Sequence, residues 1–155
     1  MMAARKLPFL LASLIVFSLA SASLVSAQTV PKIVPYVNDF AGVLTQDEIF
    51  SINQAAARLE KETTVQVAVL IVNSTQPLDM DGFANAAFRE NGVGHRDNNN
   101  GLLIAVAVDD RAWRIEVGYG LEGTVNDAKA GDVGRTYLVP YFQEGRYGDG
   151  LAAAV

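Results

Sequence analysis

Oxygen-bearing side chains in this sequence gather in clusters of a kind that could hold a hard cation. Asp97, Asn98, Asn99 and Asn100 are consecutive, Glu122 and Asp127 share one short stretch, Asp109 and Asp110 form a third pair, and Asp39 lies far upstream. Carboxylate and amide oxygens are the ligands that calcium takes, with magnesium the next choice. Sulfur offers nothing, because the chain has no cysteine. A disulfide framework, thiol catalysis and a thiolate zinc site are thereby excluded. His95 is the single histidine; set between Gly94 and Arg96, it reads as a solvated loop residue rather than a base or ligand.

Two strands must position these clusters. Gly101 to Val108 is an almost unbroken apolar run, the pattern of a strand buried on both faces, whereas Trp113, Ile115 and Val117 alternate with Arg114 and Glu116 as in a half-exposed strand. Only Asp109, Asp110 and Arg111 separate them, which predicts an antiparallel hairpin. Asp97 to Asn100 then lie at the same sheet edge as Gly118 to Asp127, and Asp110 lies at the other. At roughly 3.3 Å per residue, the two edges are about 20 Å or more apart, while calcium ligands sit within about 2.6 Å of the ion. Asp97 and Asp110 therefore cannot ligate one ion. The edge carrying Asp97, Asn98, Asn100, Glu122 and Asp127 has more donors and is the expected site; the Asp109-Asp110 edge, which can borrow Asp39, is the alternative.

Two familiar patterns fail on context. Gly118, Gly120 and Gly123 spell G-x-G-x-x-G, but after the second arm of a hairpin and with Glu122 where a pyrophosphate would sit. No nucleotide cofactor is expected. Asp97 and Asn99 could fill the first and third positions of an EF-hand loop, yet Val108 falls where the bidentate Glu is required. Asn73-Ser74-Thr75 is a glycosylation sequon at a strand end. Ser74, Thr75 and Asp79 show no base that would make a nucleophile of a hydroxyl.

The 155 residues, half of them hydrophobic, suffice for one domain with a substantial core. Residues 1–27 carry Arg5 and Lys6, an apolar centre from Leu7 to Ala20, and small residues ending in Val25-Ser26-Ala27, which is the pattern of a secretory signal peptide, or of an anchor if uncleaved. The chain is thus expected to be secreted, periplasmic or otherwise extracytoplasmic. Its mature part has ten basic and seventeen acidic side chains, a net of −7, which disfavours nucleic acid and anionic membrane surfaces.

Residues 28–36 read as a linker and 37–155 as the domain. Thr45 to Glu62 predicts a helix, with Thr45 and Glu48 as a capping box and Ile49, Ile52, Ala56 and Leu59 on one face. Val65 to Val72 predicts a central strand, Asp81 to Asn91 a helix stopped by Gly92, and the pair with Gly101 to Val108 a right-handed βαβ unit. Asn126 to Val139, ended by Pro140, and Tyr147 to Val155 predict further helices.

Taken together, VNDFAGVLTQDE (Val37 to Glu48), VQVAVLIV, FREN-GVG, DNNNGLLIAVAVDDR and RIEVGYGLEG resemble the TPM domain family in order and spacing. The resemblance implies a Rossmann-like, three-layer α/β/α sandwich with a small mixed sheet. It also implies export or membrane tethering, divalent-cation binding, and acidic positions at Asp39, Asp97, Asn100, Asp110 and Glu122. Function in that family is heterogeneous: acid phosphatase activity with a role in photosystem II repair, and accessory roles beside membrane proteins. The expectation is a monomeric module that binds a divalent cation, calcium before magnesium, with either phosphomonoesterase activity or a membrane or envelope protein partner. Asn91 departs from the aromatic residue that many members carry there.

Overall fold

In the computed structural model, residues Val30–Val155 are described; the signal-peptide segment lies outside them. Strand β1 (Val37–Asp39) leads to helix α1 (Gln46–Thr63), β2 (Gln66–Val72), α2 (Met80–Asn91), β3 (Gly101–Ala107) and β4 (Ala112–Val117). A 3₁₀ turn (Tyr119–Leu121) and helices α3 (Asp127–Val133), α4 (Val139–Gln143) and α5 (Tyr147–Ala154) complete the fold.

The sheet has the order β1-β2-β3-β4, with the first three strands parallel and β4 antiparallel. Alternation along β2 sends Val67, Val69 and Ile71 to one face and Ala68, Leu70 and Val72 to the other. The first face packs on α1, α3 and α5, where Ile52, Ala56, Leu138 and Leu151 are buried; α5 sets Leu151 into the same cluster as Ile52 and Ala56. The second face is alanine-rich, with Ala68, Ala105 and Ala107 opposite Ala84 and Ala87 of α2. Small side chains admit α2 closely, and Phe83 fills the remaining space at 0% exposure. These layers make the expected α/β/α sandwich.

Three features depart from the sequence expectations. β1 emerges from the start of the domain, paired in parallel from Val37↔Val69 to Asp39↔Ile71. Upstream, Val30 and Ile33 of the proposed linker pack on the α2 side, where the Asn91 carboxamide accepts from Ile33 N–H (2.8 Å) and donates to Pro31 O (3.1 Å). The polar residue at position 91 thus fastens this segment. Pro140 does not end the helix. The backbone has already opened into a π-helical stretch, Gly134–Leu138, so Pro140 opens α4 at a position where its missing N–H costs no ladder bond.

The third concerns handedness. β1-α1-β2 and β2-α2-β3 both step one strand in the same direction, yet α1 and α2 lie on opposite faces. Such crossovers have opposite hands, so one of them departs from the usual right-handed sense, which the sequence predicts for β2-α2-β3 alone. The chain also leaves the carboxyl ends of neighbouring β1 and β2 towards opposite faces, the arrangement that opens a crevice in an α/β sheet.

Candidate functional site

At the carboxyl ends of the parallel strands, two aspartates order the loops. Asp39 caps the turn after β1, its Oδ1 accepting from the N–H groups of Ala41 (3.1 Å) and Gly42 (2.8 Å) and its Oδ2 from Leu44 N–H (2.8 Å). Asp110, in the hairpin turn, accepts from Thr75 N–H (2.7 Å) and from the Ser74 hydroxyl (2.8 and 3.0 Å). Thr75 Oγ1 lies 3.2 Å from the same carboxylate and 3.0 Å from Leu78 O. The Thr75 N–H, followed by the Ser74 hydroxyl, holds the Asp110 pKa below the ordinary carboxylate value. Asp109 is exposed. Arg111 has φ +50° and borders a cavity of about 560 Å³ beside Trp113 and Phe142. Asp79, the other polar residue noted in this region, is the N-cap of α2 and accepts from Gly82 N–H at 2.6 Å.

At the opposite edge, the hairpin brings together the loops that its topology required. Gly118 N–H donates to Gly101 O (2.8 Å) and Gly120 N–H to Asn99 O (3.0 Å). A Cβ at Gly118 or Gly120 would collide with the Asn99 or Asn98 carbonyl, so these glycines serve the close approach of two loops. Asn100 is 6% exposed and committed to structure: Nδ2 donates to Thr64 O (2.6 Å) and Oδ1 accepts from His95 N–H (3.1 Å). That contact supports Thr64, which ends α1 at φ +66°. Asp97, Asn98 and Glu122 remain exposed.

His95 is not merely solvated. Its Nε2 lies 3.0 Å from Glu60 Oε1, and Glu60 also accepts from the Tyr36 phenol, which holds the Tyr36 pKa above its ordinary value. The link joins the loop before β3, the end of α1 and the entry to β1. No local signal in the sequence marks it.

Asp127 belongs to a different cluster. Arg114 faces Asp81 of α2 (3.6 Å), Glu116 (3.5 Å) and Asp127 (3.8 Å), one cation among three carboxylates. Burial pushes the Glu116 pKa up; Arg114 opposes the rise, and Asp127 and Asp81 add to it. Of the five residues expected at the first edge, Asn100 is buried against the end of α1, and Asp127, exposed, lies near Arg114. Among the described residues no group of three or more acidic or histidine side chains is placed to hold one ion. The donor sets among the described residues do not fit a preformed carboxylate cage.

The register Leu102↔Val117 to Ala107↔Ala112 separates Asp97 from Asp110 to opposite edges, while Asp39 ends on the Asp110 side because β1, β2 and β3 are parallel. Neighbouring strand ends could have revealed the tie between Ser74 and Asp110, since both follow adjacent parallel strands. Among the described residues, no helix is long and apolar enough to cross a membrane.

A small mixed sheet between two helical layers, with acidic loops at both strand edges, defines an α/β/α domain of the Rossmann-like class. The TPM domain profile matches residues 37–155, and the chain belongs to the TPM domain family. It is similar to the N-terminal domain of a protein from P. gingivalis, with 32% identity, a TM-score of 0.70, and coverage of 76% of this chain and 75% of that one. A protein from the psychrophilic bacterium Bizionia argentinensis gives 26% identity and a TM-score of 0.65, over 75% of this chain and 79% of its own. The N-terminal domain of a Corynebacterium glutamicum protein, 19% identical with a TM-score of 0.64 over 83% of this chain and 80% of its own, shares the fold. No curated protein sequence matches the chain.

Proposed function

We propose that this chain is an exported TPM domain that binds a divalent cation, calcium before magnesium, at the carboxyl ends of its parallel strands, and that it serves as a non-catalytic recognition module for a membrane or envelope protein complex. One observation carries the reading. Asp39 and Asp109-Asp110 end strands on either side of Asn73-Ser74, at the point where the chain departs to opposite faces of the sheet. Asp109 has an exposed carboxylate to offer, and Asp110 is held ionised beside it. Because both Asp39 and Asp110 already accept several protein hydrogen bonds, the site suits weak binding, with a Kd of roughly 10⁻⁴–10⁻³ M as in extracellular modules.

Phosphomonoester hydrolysis is the second reading, favoured by the same position, since ligands of open α/β sheets bind outside the carboxyl ends of the strands. A bound ion would there offset phosphate charge. Calcium titration followed by amide chemical shifts tests the site: Asp109→Asn should weaken binding at least tenfold and Asp97→Asn should leave it intact. The reverse pattern moves the ion to the other edge, and no saturable shift removes it. A flat p-nitrophenyl phosphate assay with calcium bound agrees with a recognition module; hydrolysis abolished by Asp109→Asn overturns it.

A further inference from the structure

The cavity beside the hairpin turn is built differently from the acidic loops near it. Its volume of about 560 Å³ falls in the roughly 300–1,000 Å³ range of small-ligand sites. Trp113, Val139, Phe142 and Tyr147 contribute apolar and aromatic wall, with the Phe142 and Tyr147 rings 4.8 Å apart and tilted by 40°. Two polar residues, Arg111 and Gln143, also line it. The Arg111 side chain has no ion pair or hydrogen bond among the described residues. Its backbone, at φ +50°, occupies the left-handed region where glycine or asparagine fits with less strain. A long cation at such a position, without a protein partner among the described residues and at the mouth of a cavity with an aromatic wall, is available to a ligand.

We propose that this cavity binds a small monocarboxylate with an apolar, aromatic or branched body, the carboxylate pairing with Arg111 and the body lying against Trp113, Phe142 and Tyr147. A planar guanidinium matches a carboxylate in bidentate fashion. The charge balance selects a monoanion: Arg111 is the only cation lining the cavity, so one carboxylate is neutralised by it while a phosphate dianion keeps a second, uncompensated charge. The inference does not use the proposed cation, although Asp109 and Asp110 share the hairpin turn with Arg111.

Trp113 is the chain's only tryptophan, so its fluorescence reports occupancy without a label. The test titrates the purified chain with 3-phenylpropionate in the presence of a chelator, which separates this result from any cation effect. Expected is a saturable one-to-one change in Trp113 emission. It should weaken at least tenfold in Arg111→Gln and for the neutral isostere 3-phenylpropanamide, with far-UV circular dichroism of the variant unchanged. Arg135→Gln, a change of an exposed cation elsewhere, should bind like the parent. No saturable change overturns the proposal, as does equal binding of acid and amide, or equal binding by Arg111→Gln. Tighter binding of phenyl phosphate than of 3-phenylpropionate overturns the monocarboxylate class and favours the phosphomonoester reading.

Discussion

Thr75 donates its backbone N–H to Asp110 Oδ2 at 2.7 Å, joining the loop after β2 to the hairpin turn across 35 residues of sequence. The bond requires an acceptor, and ionisation strengthens it. Because the folded pKa of Asp110 is depressed, its contribution is present above the unfolded carboxylate pKa and is lost as pH falls through the folded value. Asp110→Asn should therefore lower Tm at pH 7, and the gap from the parent should shrink as the pH is taken down towards 2. A gap that stays constant with pH would mean that the carboxylate charge has no part in this tie.

Glu116 titrates in the opposite sense. Its side chain is 15% exposed on β4, and burial raises its folded pKa. Such a group contributes stability that is complete below the unfolded pKa and is lost as pH rises through the folded one. Glu116→Gln should then raise Tm at pH 7 and match the parent near pH 3.5. Thermal unfolding at the two pH values decides the point; a variant less stable at pH 7 would show that the contact with Arg114 outweighs burial.

Asn100→Ala should destabilise the fold by roughly 1–3 kcal/mol, the range for leaving buried partners of a hydrogen-bonding side chain unsatisfied. The partners are Thr64 O, at the left-handed end of α1, and the His95 N–H. Urea unfolding measures the loss. If the proposed cation sits at the Asp39–Asp110 edge, a calcium titration of this variant should match that of the parent.

Gly134 lies face-on to the Trp113 ring, where an added Cβ would overlap the indole carbons. Gly134→Ala normally favours a helix by about 1 kcal/mol, but here the overlap should reverse the sign and cost roughly 1–3 kcal/mol. Near-UV circular dichroism of the single tryptophan should change in parallel with the denaturant midpoint.

Local chemistry made some elements legible and left others hidden. The capping box at α1 is complete, with Glu48 N–H to Thr45 Oγ1 at 3.3 Å and Thr45 N–H to Glu48 Oε2 at 2.7 Å, because both partners lie within four residues. The hairpin and its two edges followed from strand periods and a three-residue gap. β1 did not, since three residues after Pro35 carry no period; the strand exists through pairing with β2 and through the Asn53 carboxamide, which accepts from Tyr36 and Val37 N–H. The roles of Asn100 and Asp127 were also hidden. Both carry plausible ligand atoms, and only tertiary contacts with Thr64 and Arg114 show how those atoms are used.

The seating of α5 beside α1 sets a schedule for biosynthesis. Ile52 and Ala56 share a core cluster with Leu151, and Gly148 lies flush against the Glu48 side chain. A chain made from its N-terminus exposes the apolar stripe of α1 long before α5 exists; at about 5–20 residues per second, the wait is roughly five to twenty seconds. During that interval the stripe is available to any other nascent chain. Closure of this core therefore waits for α5, and the α1 stripe stays uncovered until that helix has been made.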